Sequence, residues 1–282
     1  IIGRADAAVL LPAQPLVIIG EDRHPDWSLN RLQPVVAPAA HVYELENIGL
    51  SGHCCLWRDD RFIRLESYLS HVAEQEAQNG HWKVPSPERL TRVVTEPVIP
   101  AFSAGYGCYG HYIVDDLPRL GLIRKTVGDA YFRHLKIIMP VDTPKWALDL
   151  LKVFFDIDES RILFFDRVKD FWMLRHVIVS EYLHRTYIVN PFMREFYRSY
   201  VPSQGEPWRK IFLSRRAWER NKTHQRVFEQ QEWFEAEAQR RGFEVVAPET
   251  LSISDQLRLM CETSVQICEH GSAQHASLYS EF

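Results

Sequence analysis

The amino-acid sequence predicts an α/β protein with two halves, each built on a parallel sheet. In the first half, strand-like runs at 135–139, 161–165 and 175–180 are interspersed with a helical segment at 145–155. In the second half, strands and helices alternate again between residues 210 and 268. Because alternation of strand and helix is typical of βαβ units, the strands of each half are expected to run parallel.

An N-terminal β element is predicted before this alternation begins. Residues 41–64 read as short extended segments, and the charged run 58–61 lies between apolar stretches, as the turn of a hairpin does. Residues 65–80 carry apolar side chains at helical spacing. The glycine-rich residues 105–110 then precede a predicted helix at 111–127, because glycine lets the backbone turn tightly into a helix.

A linker is predicted between the two halves. Helix-forming residues at 191–202 are followed by the stretch 203–207, whose glycine and proline are typical of a connection. We therefore expect two domains, one at 1–195 and one at 196–282.

The second domain is expected to contain five further elements and the start of a sixth. The five are strands at 210–213, 243–246 and 264–268 and helices at 225–241 and 254–261. A last helix is expected to begin at Ser272. Since the sequence stops at Phe282 without the closing strands of such a domain, the C-terminal domain is expected to be incomplete.

Composition and charge argue against several functional classes. A formal net charge of -4, from 33 basic and 37 acidic residues, gives no overall positive field for nucleic acid. The apolar stretch 7–20 is interrupted by prolines and is too short to cross a bilayer. Five cysteines without a Cys-x-x-Cys pair predict reduced, buried thiols and no cysteine-type zinc site. We therefore expect a cytoplasmic protein, with membrane association and oligomeric state left open.

The run from Glu269 to Ala273 follows a predicted strand and suggests an anion site. Gly271 allows close approach of a ligand, and Ser272 is a good helix N-cap. The N–H groups and the dipole of the helix that follows could hold a diphosphate. The alternative is a purely structural cap.

Two further groups of residues suggest chemistry. Ser214 and Arg215 end the strand at 210–213, where arginine can bind phosphate oxygens with two N–H groups, although a solvated arginine is the alternative. On the helix at 111–127, His111 and Asp115 share a face, and such a pair can act as a general base. The alternative is an ion-pair stripe that stabilises the helix.

Taken in order, these segments resemble glycosyltransferase family sixty-one, which includes capsular-polysaccharide proteins and O-linked N-acetylglucosaminyltransferases. The resemblance extends from about His41 to the end of the sequence and depends on the order of the motifs. The motifs are Gly110–Arg119, Phe212–Arg215, Gly242–Glu249, Gln256 and His270–Ala273.

The resemblance implies a GT-B-like fold, in which two Rossmann-like domains face each other across a cleft. It implies an inverting hexosyl- or pentosyltransferase that needs no metal and takes a nucleotide-sugar donor, here expected to be UDP-linked. The acceptor would be a hydroxyl of a glycan or another molecule, and the context polysaccharide biosynthesis.

The resemblance also implies roles for individual residues. His111 or Asp115, on the acceptor side, would be the base that deprotonates the acceptor. The diphosphate and nucleoside would be bound by residues of the C-terminal half: Ser214, Arg215, Glu249, His270, Gly271 and Ser272.

Two other hypotheses fit parts of the sequence. A metal-dependent GT-A transferase would use Asp156 and Asp158, whose Asp-x-Asp spacing can hold a divalent cation against a diphosphate. A non-catalytic nucleotide- or glycan-binding protein of the same fold is the second hypothesis.

Overall fold

A computed structural model shows a mixed α/β protein that divides into two compact units. It describes residues 1–10, 34–59, 61–63, 86–185, 188–200, 205–219, 229–268 and 271–280. The first unit comprises Ile1–Pro100, Pro118–Lys136 and Arg167–Met193, and the second comprises Ala101–Leu117, Ile137–Asp166 and Arg194–Phe282. The domain division at 195/196 stays a prediction, and the predicted helix at 65–80 lies outside the described residues.

The first eight strands along the chain are short, apart from the fourth. They are β1 (Gly3–Ala5), β2 (Ala8–Leu10), β3 (Val35–Ala37), β4 (Ala40–Ser51), β5 (Cys55–Arg58), β6 (Arg61–Phe62), β7 (Arg92–Val94) and β8 (Val98–Pro100). Along the chain there follow β9 (Lys136–Pro140), β10 (Ile162–Phe165), β11 (Phe171–Ser180), β12 (His184–Arg185), β13 (Ile188–Val189), β14 (Arg209–Leu213), β15 (Glu244–Val246) and β16 (Thr263–Cys268).

The helices include one that contains a π-turn. They are α1 (Tyr109–His111), the π-turn (Tyr112–Asp116), α2 (Leu117–Val127), α3 (Asp129–Phe132), α4 (Lys145–Phe155), α5 (Pro191–Arg198), α6 (Arg216–Glu219), α7 (Gln231–Arg240) and α8 (Ile253–Glu262). Short 3-10 helices lie at Pro87–Arg89, Glu159–Arg161, Pro248–Thr250 and Ser272–Tyr279. Within the described residues, no helix has both the length and the apolar composition that spanning a membrane requires.

The first unit is centred on β4 and β11, which pair antiparallel from Phe171↔Ser51 to Ser180↔Val42. β11 also pairs in parallel with β7 and β8, so the sheet is mixed. The predicted hairpin is confirmed, since β5 and β6 pair with Arg58 opposite Arg61. β11 begins earlier than predicted because Phe171 and Trp172 are buried and extend its apolar run.

The second unit contains the parallel pairs that the alternation predicts. β9 and β10 pair in parallel and are connected through α4. β14 lies between β15 and β16, parallel to both, and its residues Ile211, Phe212 and Leu213 are buried. The second parallel sheet is therefore confirmed. The last predicted helix exists as the 3-10 helix Ser272–Tyr279.

Aromatic packing holds the last 3-10 helix inside the second unit. The Tyr279 ring is buried and its centroid lies 5.2 Å from that of Tyr197 on α5. Tyr197 in turn meets Phe154 of α4 edge-to-face at 5.6 Å, and Phe154 stacks on Phe196 at 5.7 Å. Rings at these distances bury large apolar areas, so α4, α5 and the 3-10 helix pack as one layer.

A buried carboxylate joins the ends of β4 and β11 in the first unit. Glu181 accepts hydrogen bonds from the backbone N–H of His41 at 2.8 Å and from the Tyr43 hydroxyl at 2.8 Å. The His41 imidazole Nδ1 lies 2.9 Å from the same carboxylate. The backbone N–H of Glu181 also donates to the His41 carbonyl at 3.0 Å, which continues the pairing of the two long strands by one residue.

Replacing Glu181 with alanine is expected to lower the free energy of unfolding by about 1–3 kcal/mol, because the groups that it binds lose their acceptor. Glu44→Ala, on the exposed face of β4, is the control and should change it by less than about 0.5 kcal/mol. Urea unfolding monitored by circular dichroism measures both values. Equal destabilisation by the two variants would contradict the role given to Glu181.

Candidate functional site

The glycine-rich turn before α1 is held by hydrogen bonds to a buried serine and a buried aspartate. The Ser103 hydroxyl donates to Asp116 at 3.0 Å and accepts from the Gly105 N–H at 3.3 Å. Within the turn, the Cys108 N–H donates to the Gly105 carbonyl at 2.8 Å. The start of the helix is thus fixed to the π-turn that follows it.

Gly110 lets the helix approach the 3-10 helix that begins at Ser272. A Cβ at position 110 would lie 2.6 Å from Cδ2 of His275 and 3.1 Å from the Cα of Ser272. A Cβ at this position would force the His275 side chain to move and the Ser272 backbone to shift by a few tenths of an ångström, so the absence of a side chain at Gly110 allows the close contact. The predicted acceptor-side helix and the predicted diphosphate-binding turn therefore meet within the second unit.

Cys108 lies at the same contact, with Sγ 3.2 Å from Oγ of Ser272. Partial burial acts to raise the pKa of the thiol, but the hydrogen bond with Ser272 and the N–H and charge of His111 outweigh it and lower the pKa. Cys54, Cys55 and Cys261 are buried as predicted, whereas Cys108 is exposed. The expectation of buried thiols was therefore wrong for Cys108, which lies in an exposed turn, and Cys268 is only partly buried.

A second set of hydrogen bonds joins α1 to α8 and the last 3-10 helix. The Tyr109 hydroxyl donates to Gln256 at 2.8 Å and lies 2.9 Å from the Tyr279 hydroxyl. Gln256 also donates to the Pro248 carbonyl at 3.0 Å. Burial raises the pKa of Tyr109 to about 12, so this hydroxyl keeps its proton at any physiological pH.

His111 and Asp115 form a hydrogen-bonded pair on the helix, with Nδ1 3.0 Å from Oδ2. The hydrogen bond to Asp115 raises the pKa of His111 to about 8, against the opposing effect of partial burial. The histidine side chain is 63% exposed and the aspartate 13%, so a ligand can reach the imidazole while the carboxylate orients it. Such a pair can accept a proton from a hydroxyl.

Arg215 packs against Gly271, immediately before the Ser272 helix. A Cβ at position 271 would meet Nη1 of Arg215 at 3.1 Å and Cζ at 3.3 Å. The structure thus places a guanidinium next to a helix N-terminus, an arrangement that suits an anion.

The neighbouring Ser214 is buried and engaged within the protein. Its hydroxyl donates to Glu235 at 2.5 Å and accepts from Gln231 at 3.1 Å and from the Arg216 N–H at 3.2 Å. Glu235 also pairs with the Arg216 guanidinium at 3.3 Å. In this structure the Ser214 hydroxyl therefore shapes the strand end, and Arg216 is tied to α7.

Of the remaining predicted nucleotide-site residues, only Glu249 is among those that the structure describes. Glu249 is exposed on the 3-10 helix Pro248–Thr250, whose first carbonyl accepts from Gln256. His270 lies outside the described residues, as does its neighbour Glu269.

The Asp-x-Asp residues serve local structure. Asp156 ends α4 in a left-handed conformation with φ 53° and pairs with Lys152. Asp158 caps the next 3-10 helix by accepting from the Ser160 N–H at 3.0 Å. Among the residues that the structure describes, no three His, Cys, Asp or Glu side chains are grouped as a metal site would need.

A known protein family matches the part of the chain that holds this group of residues. The family profile described as "Glycosyltransferase 61" matches residues 109–281, which is more than half of the chain. The match begins at Tyr109, the first residue of α1, and includes β14 and the Ser272 turn. No curated protein sequence matches the chain significantly.

Alanine at position 110 is expected to destabilise the protein. Overpacking against Ser272 and His275 should cost about 1–3 kcal/mol, more than the roughly 1 kcal/mol that alanine gains over glycine in a helix. Gly107→Ala is the matched control in the same turn, because no atom lies within 4 Å of its Cβ position. Thermal unfolding should show a lower midpoint for Gly110→Ala alone. A midpoint at or above the wild-type value would contradict the close contact.

Proposed function

The chain belongs to the glycosyltransferase 61 family and is a glycosyltransferase, and from this premise we propose its donor, mechanism and site. It transfers a hexose or pentose from a UDP-linked donor to a hydroxyl acceptor, with inversion at the anomeric carbon. The reaction contributes to polysaccharide assembly in the cytoplasm, on a GT-B-like scaffold with acceptor-side and donor-side domains at 1–195 and 196–282.

One observation carries the proposed site: the His111–Asp115 pair directly follows Gly110, and Gly110 contacts the Ser272 turn. A group able to take a proton thus lies on the same helix end that meets the anion-suited turn. Transfer of a sugar between oxygens needs both functions, because one oxygen loses a proton while the other leaves as a phosphate.

His111 is the proposed base. Asp115 holds Nδ1, which leaves Nε2 to take the proton of the acceptor hydroxyl. The acceptor oxygen forms a bond to the anomeric carbon as the bond from that carbon to the diphosphate oxygen breaks. The electron pair of the broken bond leaves with the nucleotide, and a single displacement of this kind inverts the configuration.

The diphosphate is bound by the turn that follows β16. Arg215 and the N-terminus of the Ser272 helix stabilise the negative charge that grows on the leaving group, which is the type of preorganised electrostatics that dominates many enzymes. Gly271 and His270 also contribute to diphosphate binding in this proposal. Ser214 supports it by holding the backbone N–H of Arg216, and Glu249 lies toward the nucleoside.

Transferase activity is expected to rise with pH through about 8, because His111 must lose its proton before it can act as the base. His111→Gln should lower kcat by about 100- to 10,000-fold. Asp115→Asn should lower kcat and shift the midpoint of the pH profile toward the ordinary histidine value, since the carboxylate that raises the pKa is gone. Release of UDP from a UDP-sugar with an oligosaccharide acceptor measures both. A rate that falls as pH rises through 8 would show that the protonated imidazole is required instead.

Nucleotide binding is expected to stabilise the protein against heat. UDP at a hundred times its Kd should add about 2.7 kcal/mol to the free energy of unfolding, without any requirement for metal. Arg215→Ala should remove most of the thermal shift, whereas Arg258→Ala, an exposed arginine paired with Asp255, should not. Repeating the measurement with EDTA tests the metal-dependent alternative. If no nucleotide or nucleotide sugar shifts the melting temperature, the proposed donor site is wrong.

A further inference from the structure

In the π-turn between α1 and α2, the carbonyl of Ile113 does not receive the N–H that a regular α-helix would give it. The Leu117 N–H donates to the Tyr112 carbonyl, five residues back. In a regular α-helix the same N–H would donate to Ile113. The residue that would serve Ile113 in the π register is Pro118, which has no N–H.

A tyrosine hydroxyl from another helix supplies the missing donor. Tyr197 of α5 donates a hydrogen bond from its hydroxyl to the Ile113 carbonyl. Both residues are fully buried. A carbonyl buried away from water needs such a partner, because leaving it without one is costly.

The position of Tyr197 is itself fixed by packing. Its ring lies edge-to-face on Phe154 at 5.6 Å and on Phe196 at 4.9 Å, and it is 5.2 Å from Tyr279. A rotamer held on several sides places its hydroxyl reproducibly. The bond to Ile113 therefore ties the π-turn to the aromatic core of the second unit.

Ile113 lies between the two members of the proposed base. His111 precedes it by two residues and Asp115 follows it by two, and the backbone between them determines whether Nδ1 and Oδ2 meet. From this placement we propose that Tyr197 is a positioning residue for the His111–Asp115 pair, acting through the carbonyl of Ile113. The inference deepens the proposed function and depends on His111 being the base.

Tyr197→Phe tests the inference because it removes only the hydroxyl and keeps the ring. The kcat is expected to fall by roughly 10- to 100-fold, since a small misplacement of a catalytic group has effects of this size. The KM for the UDP-sugar should change little, because the donor is bound by other residues. The pKa of His111, followed by NMR titration of the imidazole protons, should move from about 8 toward its ordinary value as the contact with Asp115 loosens.

Tyr200→Phe is the matched control, because Tyr200 belongs to the same aromatic cluster at 4.8 Å from Phe154. It should leave kcat and the His111 titration at their wild-type values. A purely structural role for Tyr197 would lower the melting temperature while both readouts stayed unchanged, and that result would overturn the inference.

A second variant covers the case in which Tyr197→Phe does not fold. Adding Pro118→Ala provides a backbone N–H that can donate to the Ile113 carbonyl in the π register. The double variant is expected to fold and to recover most of the kcat and the raised pKa of His111. A folded double variant that recovers neither would contradict the inference.

Failure of the inference and failure of the proposed function are distinguishable. If wild-type protein transfers no sugar from any UDP-sugar, the proposed function fails, and the expected fall in kcat of Tyr197→Phe fails with it. The NMR titration needs no substrate, so it still decides whether Tyr197 positions the pair. A His111 titration identical in wild type and Tyr197→Phe would refute the positioning role on its own.

Discussion

The close packing of Gly110 on the Ser272 turn is the constraint on which the candidate site depends. Without a side chain at position 110, the start of α1 approaches the backbone of Ser272 so closely that a Cβ there would force its neighbours to shift. The same contact places Cys108 next to the Ser272 hydroxyl and His111 one residue further along the helix. Residues separated by some 160 positions in the sequence thus share one small region.

Buried hydrogen bonds fix the side-chain geometry of this region. Ser103 with Asp116, Tyr109 with Gln256, and Ser214 with Glu235 each satisfy polar groups that have little or no access to water. Because an unmade bond in a buried place is expensive, such pairs tolerate few alternative geometries. They hold the start of α1, helix α8 and the end of β14 in place, while His111 stays exposed to solvent.

In the candidate site, the carboxylate of Asp115 changes the proton affinity of the neighbouring His111. Asp115 stabilises the protonated imidazole, which makes His111 a stronger base than a free histidine. It also means that a smaller fraction of His111 is in the neutral, proton-accepting form at neutral pH. The linkage has a defined sign: the raised pKa stabilises the folded state most fully below about pH 6.5, and this contribution is lost as pH rises through about 8. The guanidinium of Arg215 lies against Gly271, immediately before Ser272.

The sequence by itself determined several of the elements that the structure describes, and the family, because both depend on local order. The apolar spacing of α4, the hairpin at Arg58–Arg61 and the parallel strands on either side of β14 follow from periodicity and alternation, and the ordered motifs indicated glycosyltransferase family 61. Only the tertiary structure showed that β11 pairs antiparallel with β4, that Cys108 is exposed, and that Ser214 is buried against Glu235. It also showed Tyr197 bonded to the π-turn. These features arise from contacts between residues far apart in the chain, which packing decides and which periodicity along a single segment does not encode.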